Sequence, residues 1–143
     1  MLIRAFDPAD TETVVRLWTD CDLTRPWNNA HRDIARKLGI QPDLFRVVED
    51  AGTVIATAMT GFDGHRGWVY YLAVDPDRRG EGHARALMAD AEQLLTDLGC
   101  PKIMLMLRSE NSAVVELYEH LDFVVESTLV MGKRLIPDLP STT

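Results

Sequence analysis

Along the chain, apolar residues follow in turn the spacing that is typical of strands and the spacing that is typical of helices. Leu2 to Phe6 is predicted to form a short strand, and Asp7 followed by Pro8 then provides an N-cap and a first helical residue. The next apolar positions recur at i, i+3, i+4 and i+7, which is typical of one face of an amphipathic helix. These positions are Val14, Leu17, Trp18 and Cys21.

The same pattern predicts an alternating order, β-α-α-β-β-β-α-β-α-β-β, which is typical of the α/β (α+β) class. A second helix is predicted at about Ala30 to Leu38, ended by Gly39, and Asp50-Ala51-Gly52 is typical of a hairpin turn. Further strands are predicted at Leu44 to Glu49, Thr53 to Met59, Trp68 to Val74, Lys102 to Leu107, Val124 to Glu126 and Leu129 to Leu135. Further helices are predicted at Ala84 to Leu98, ended by Gly99, and at Val114 to Leu121.

Length and charge exclude several classes of protein. The 143 residues are enough for one core, so we expect a single domain over residues 1–136 and a short tail over residues 137–143. The net charge of −7 argues against general nucleic-acid binding, which needs a basic face. No long apolar run or leader pattern points to a membrane or to export, so we expect a cytoplasmic protein.

The cysteines and histidines do not have the spacing of metal ligands. Cys21 and Cys100 lie far apart and form no Cys-x-x-Cys pair, and the 4 histidines are widely spaced. We therefore expect free thiols in a reducing compartment and no bound metal.

The most informative segment runs from Leu72 to Ala84. It passes from an apolar strand through Asp75-Pro76 into a basic loop containing Gly80 and Gly82, and then directly into a helix. Glycines let backbone N–H groups turn toward a ligand, and a helix N-terminus adds unpaired N–H donors and partial positive charge. Full positive charges would come from Arg78, Arg79 and Arg85. The segment therefore predicts a cradle for a molecule that carries a diphosphate.

The spacing of the loop distinguishes among glycine-rich phosphate loops. A P-loop would need Lys-Ser or Lys-Thr after its last glycine, and a dinucleotide fingerprint would need Gly or Ala where Arg85 stands. The spacing that fits is Arg-x-x-Gly-x-Ala, at Arg79, Gly82 and Ala84. It resembles the coenzyme A pyrophosphate loop of the GNAT superfamily of N-acetyltransferases. The simpler interpretation is a charged surface turn without a ligand.

A second resemblance to this superfamily lies after the predicted strand at Lys102 to Leu107. Members often have an Asn, a Tyr seven residues later, and then Gly-Phe or Gly-Tyr. This chain has Asn111, Tyr118 and Phe123, with Asp122 in the place of the usual glycine. Over nearly the full chain, the sequence is most similar to the bacterial YpeA subfamily, a resemblance that does not specify the acceptor.

The resemblance implies the GNAT fold, with a mixed, mostly antiparallel central sheet flanked by helices. It implies acetyl transfer from acetyl-CoA to a primary amine, on a small molecule or a peptide, by direct attack in a ternary complex, and a possible homodimer. Tyr118 is implied to protonate the leaving thiolate, since a phenol with a pKa of about 10 stays a proton donor at neutral pH. The residues implied to bind acetyl-CoA are Leu72, Ala73, Val74, Arg79, Gly80, Glu81, Gly82, His83, Ala84 and Asn111.

Each implied role has a simpler alternative. Tyr118 lies on the apolar stripe of its helix, as a core residue would, and Asn111 is a typical helix N-cap. Some members place a glutamate near the start of the strand where this chain has Trp68. The proton acceptor is therefore left open, and the candidates are Asp63, His65, Glu49 and a water relay.

Substrate specificity and overall function also have open alternatives. Trp27, in the loop from Arg25 to Asn28, is predicted either to form a wall of the acceptor pocket or to cover the edge of the core. The alternatives to an enzyme are a non-catalytic acetyl-CoA-binding or sensing domain and a Rossmann-like nucleotide binder.

Overall fold

A computed structural model describes residues 1–108 and 110–138. Its strands are β1 (Leu2–Ala5), β2 (Phe45–Asp50), β3 (Thr53–Phe62), β4 (Gly67–Val74) and β5 (Ile103–Met104). Its helices are α1 (Thr11–Asp20), α2 (Ala30–Leu38), α3 (His83–Asp97) and α4 (Ser112–Glu119), with 3₁₀ turns at Pro8–Asp10, Pro42–Leu44 and Pro76–Arg78. The predicted α/β class and the order of the elements through α4 are confirmed.

One mixed sheet forms the centre of the molecule, with its strands in sequence order from β1 to β5. β1, β2, β3 and β4 pair antiparallel with their neighbours, and β4 pairs parallel with β5. The parallel connection from β4 to β5 passes through α3, since parallel strands need a crossover rather than a hairpin. The sheet is therefore mixed and mostly antiparallel, as the sequence resemblance implies.

Helices cover both faces of the sheet, and each face has its own apolar cluster. Trp18 of α1 and Ile34 of α2 pack with Phe45 and Val47 in one cluster, and Leu87 of α3 packs with Val48 in the other. Successive strand residues point to opposite faces, so β2 contributes Val47 to one cluster and Val48 to the other. The two clusters fix the sheet between the α1/α2 layer and the α3/α4 layer.

The prediction of two further strands, at Val124 to Glu126 and Leu129 to Leu135, is wrong in this structure. Neither segment has strand structure, and Val124, Leu129 and Met131 are 80%, 91% and 92% exposed. Alternating apolar residues favour a strand, but a strand also needs a paired edge. The neighbouring edge is β5, which extends over Ile103–Met104 instead of the predicted Lys102 to Leu107.

The predicted boundary between the domain and its tail stays a prediction, although one residue of that tail is docked. Asp138 is 4% exposed, and it accepts hydrogen bonds from Arg36 of α2 and from the backbone N–H of Asn29. Pro137 is exposed, and residues 139–143 of the predicted tail lie outside the described residues. No helix among the described residues is long and apolar enough to span a membrane.

Candidate active site

A bulge interrupts β4 at Tyr71, opposite the middle of β3. The register between the two strands shifts between Thr57 and Met59, and Tyr71 has a φ of +51°. The hydroxyl of Thr57 donates a 2.7 Å hydrogen bond to the Tyr71 carbonyl and accepts a 3.0 Å hydrogen bond from Trp18 Nε1. The Trp18 and Tyr71 rings stack with centroids 3.7 Å apart. These contacts hold a left-handed backbone conformation that a non-glycine residue adopts only at a cost.

After Trp68, before the bulge, β4 separates from β5. The two strands pair only at Gly67 with Ile103 and at Trp68 with Met104, although β4 continues to Val74. The edge of β4 that includes Leu72 and Ala73 therefore faces a gap rather than a neighbouring strand. Backbone groups on such an edge can pair with an added extended chain.

The glycine loop after β4 contains two glycines in the left-handed conformation, immediately before a helix N-terminus. Gly80 and Gly82 have φ values of +81° and +88°, and a Cβ at either position would meet no heavy atom within 4 Å. α3 begins at His83, and no side chain caps its N-terminus at Gly82. No side chain thus caps the first N–H groups of α3, and such groups at a helix N-terminus favour an anion.

The charged residues of the loop do not all face the predicted cradle. Arg78 pairs with Asp50 at 2.5 Å and with Glu81 at 2.9 Å, and Glu81 also pairs with His83 Nε2 at 2.9 Å. The hydrogen bond from His83, followed by that from Arg78, lowers the pKa of Glu81. Arg78 thus faces two carboxylates in this structure, and its expected contribution to the cradle stays a prediction. The same pairs hold the carboxylate of Glu81, which would otherwise repel a phosphate.

Arg79 and Arg85 remain exposed beside the loop. Arg79 extends toward α1, with its Nη2 3.7 Å from Cys21 Sγ, and the Cys21 thiol donates to the Val74 carbonyl at 3.2 Å. These contacts connect the end of α1 to the junction between β4 and the loop. They are among the contacts that position the loop relative to the open strand edge.

Tyr118 lies on α4, and Asn111 is the N-cap residue that precedes this helix. Asn111 caps the helix by accepting from the Val114 N–H at 3.4 Å. Tyr118 is 6% exposed and packs edge-on against Phe123, with ring centroids 5.6 Å apart. Burial raises the pKa of Tyr118 to about 12, so its phenol stays protonated far above neutral pH. Asp122, in the place of the usual glycine, takes the left-handed conformation with a φ of +70°.

A cavity of about 800 Å³ brings several predicted residues together. Leu72, Asn111 and Tyr118 all line it, between the open edge of β4 and the segment that leads into α4. α2 forms another wall of the same cavity. The side chains that α2 contributes were not identified as candidates from the sequence, and they are Asp33, Arg36 and Lys37.

Asp33 and Lys37 lie one helical turn apart on α2. Asp33 accepts a 2.6 Å hydrogen bond from the Tyr71 hydroxyl and a 2.9 Å hydrogen bond from Arg36. Burial, followed by the Asp33 carboxylate, raises the pKa of Tyr71. Burial also lowers the pKa of Lys37. The i, i+4 spacing was visible in the sequence, but only the fold shows that this face of α2 turns toward β4.

The proton acceptors suggested by the sequence do not line this cavity. Asp63 accepts from the backbone N–H groups of His65 and Arg66 in an exposed turn, and these bonds lower its pKa. His65 lies in the same exposed turn, and Glu49 pairs with Arg4 at 3.3 Å. Trp27 is 51% exposed and does not line the cavity, whereas Asn28 does.

An open, bulged strand edge that leads into a glycine loop and a helix N-terminus suits the binding of an extended acyl carrier with a diphosphate. The comparisons with known proteins agree with this class. Residues 11–123 match the family model described as the acetyltransferase (GNAT) family. The chain therefore belongs to the GNAT acetyltransferase family, and the protein is an acetyltransferase.

Relatives and solved structures support this assignment. The chain is 49% identical over 138 residues to an acetyltransferase of Yersinia enterocolitica, covering 96% of this chain and 98% of that protein. It resembles the structure of Ard1 from Thermoplasma volcanium, with 26% identity, a TM-score of 0.77 and coverage of 88% of this chain and 84% of that one. It also resembles the structure of the NatC complex bound to Gag peptide and CoA, with 25% identity, a TM-score of 0.69 and coverage of 84% and 82%.

Proposed function

We propose that the protein transfers the acetyl group of acetyl-CoA to a primary amine by direct attack in a ternary complex. The observation that carries this proposal is the continuous path from the open edge of β4 into the glycine loop, with Tyr118 lining the cavity beside that edge. A structural relative bound to CoA and a peptide supports the same pair of substrates. The family and the relatives named acetyltransferases favour this proposal over a non-catalytic sensing domain.

Most of the contacts that bind acetyl-CoA are assigned to backbone groups of this chain. The N–H groups of the loop and of the first turn of α3 would hold the diphosphate, through Arg79, Gly80, Glu81, Gly82, His83 and Ala84. The free edge of β4 at Leu72, Ala73 and Val74 would pair with the pantetheine arm as an added strand does. Asn111, which lines the cavity as well as capping α4, would contact the same arm.

Acetyl transfer needs a neutral amine, donors for the developing oxyanion and a proton for the leaving thiolate. Backbone N–H groups beside the Tyr71 bulge are the donors we assign to the oxyanion. The amine nitrogen forms a bond to the carbonyl carbon, the carbon–sulfur bond breaks, and Tyr118 gives its proton to the sulfur. The amine nitrogen loses one proton, and after the thiol leaves, solvent takes up that proton and returns one to Tyr118, so the protons and charges balance.

Asp33 is the only carboxylate among the described residues that line the cavity. We infer that the proton of the amine leaves through water toward Asp33, because Asp63, His65 and Glu49 lie outside the cavity. The Tyr71 hydroxyl and Arg36 fix the position of this carboxylate at 2.6 Å and 2.9 Å. Asp33 is thus proposed as the final proton acceptor, and Tyr118 as the proton donor to sulfur.

Tyr118→Phe tests the proposed proton donor. We expect kcat to fall by about a hundredfold, which is typical for the loss of a general acid. The KM for acetyl-CoA should change little, since the ring that packs against Phe123 remains. The measurement follows release of free thiol from acetyl-CoA with a panel of primary amines, with thermal unfolding and coenzyme A binding as controls. An unchanged kcat would remove Tyr118 from this role.

A further inference from the structure

We infer that the amine acceptor also carries a negatively charged group, a carboxylate or a phosphate, and that Lys37 binds this group in the cavity between α2 and β4. The inference rests on the proposed function, because it concerns the acceptor of the same reaction. It assigns Lys37 a role in substrate specificity rather than in the chemical step.

The charge of the cavity differs in sign from the charge of the chain. Among the described residues that line it, Arg36, Lys37 and Arg108 are cationic and Asp33 is the one carboxylate. The chain as a whole has a net charge of −7. The excess of cations is therefore a local property of this wall, and it would attract an anionic group.

Two of the three cations already have partners. Arg36 donates to Asp138 at 2.7 Å and to Asp33 at 2.9 Å, and Arg108 lies 4.0 Å from Glu110. Lys37, by contrast, makes no ion pair or hydrogen bond with another residue in the described part of the chain. Lys37 is thus the cation that is left for a ligand.

The surroundings of Lys37 explain why an anion would be bound there. Its Nζ lies over Gly61, where an added Cβ would be only 3.4 Å away. The neighbouring Gln41 amide bonds to the Phe62 backbone instead: its oxygen accepts from the Phe62 N–H at 2.9 Å and its nitrogen donates to the Phe62 carbonyl at 3.1 Å. Burial lowers the pKa of Lys37, so the charged form lacks compensation that a bound anion would supply.

Asp33 gives the site a negatively charged group in addition to the positively charged Lys37. It lies four residues before Lys37 on α2, which is a rise of about 6 Å along the helix axis. Its carboxylate faces the Tyr71 hydroxyl beside the bulge, where the amine would react. An acceptor with an amine at one end and an anionic group at the other would place the amine near Asp33 and the anionic group near Lys37. A wholly cationic polyamine would instead place positive charge against Lys37.

The test compares matched pairs of amines that differ only in an anionic group. β-Alanine is compared with β-alaninamide, O-phosphoethanolamine with ethanolamine, and α-amino acids with their amides. In the wild type, we expect kcat/KM for the charged member of at least one pair to exceed that for its neutral partner by about tenfold or more, as for a charged hydrogen bond. The pair that shows the difference identifies the anion as a carboxylate or a phosphate.

Three variants locate the effect. Lys37→Met should abolish the preference for the charged member, mainly through KM, and Lys37→Arg should retain part of it. Lys133→Met, at an exposed position outside the cavity, should leave it unchanged. The inference is overturned if neutral amines react as well as charged ones in every pair, or if Lys37→Met lowers both members equally.

Failure of the inference is distinguishable from failure of the proposed function. Acetylation of neutral amines alone would overturn the anion contact and leave acetyl transfer intact. If no amine is acetylated while acetyl-CoA binds, acetyl transfer to amines is overturned instead. The contact between Lys37 and an anionic group is then tested by measuring Tm in the presence of O-phosphoethanolamine or β-alanine. A rise in Tm that Lys37→Met loses supports it, and no rise with either probe overturns it.

Discussion

Gly67 is the residue on which the close packing of β4 against α3 depends. A Cβ at this position would lie 2.5 Å and 2.9 Å from the two methyl groups of Leu95 and 3.1 Å from Cys100 Sγ. Leu95 is 2% exposed and lies on α3, so it has little room to move away. Gly67 also begins the short parallel pairing with β5. The absence of a side chain here thus allows the strand to lie close to the helix.

Gly67→Ala is expected to reduce the free energy of unfolding by about 1–3 kcal/mol, the usual cost of an added methyl group in a packed core. Urea denaturation measures the change. Gly132→Ala is the matched control, since a Cβ there would meet no atom within 4 Å. Equal stability of the two variants would show that α3 and β4 can separate at no cost.

Tyr71 shows the opposite case, where a large residue occupies a backbone conformation that favours glycine. Its φ of +51° depends on the Thr57 hydroxyl and on stacking against Trp18. The sequence predicted neither the bulge nor its consequence, because the three residues are distant along the chain and meet only in the folded protein. The sequence did predict the glycine loop, since its glycines and helix start are local features.

Elements with a buried face were predicted well, and elements that depend on a partner were not. α2 and β4 have nearly the predicted bounds, since their apolar periods match the two core clusters. The strands predicted at Val124 to Glu126 and Leu129 to Leu135 rested on alternation alone. They have no partner in this structure, because β5 is two residues long. The wall of α2 that contributes Asp33 and Lys37 could not be assigned before the orientation of α2 was known.

Asp138 connects the end of the described chain to the start of α2. Arg36 donates to it at 2.7 Å, and the N–H of Asn29 donates at 3.3 Å. These bonds, above all the one from Arg36, lower the pKa of Asp138 to about 2, below the value of about 3.9 for a free aspartate. The ionised form therefore favours the folded state. Its contribution is complete above about pH 4 and is lost as the pH falls toward about 2.

Asp138→Asn is expected to lower Tm at pH 7, and the difference should shrink as the pH falls toward about 2, where the wild-type carboxyl is about half protonated. Thermal unfolding over this pH range measures the effect. Asp20→Asn is a suitable control, because Asp20 is an exposed aspartate at the end of α1. A Tm difference that persists unchanged to pH 2 would contradict the role of the Asp138 charge.

The central claim is that the backbone N–H groups of the loop at residues 79–84 bind the diphosphate of coenzyme A. Calorimetric titration of coenzyme A into Gly82→Val tests it, with Gly64→Val as the control. Both glycines have positive φ, +88° and +93°, and open space at the Cβ position, so both substitutions strain the backbone. We predict that Gly82→Val weakens binding by about a hundredfold, through the loss of charged hydrogen bonds, while Gly64→Val binds normally. Wild-type affinity in Gly82→Val would contradict the account.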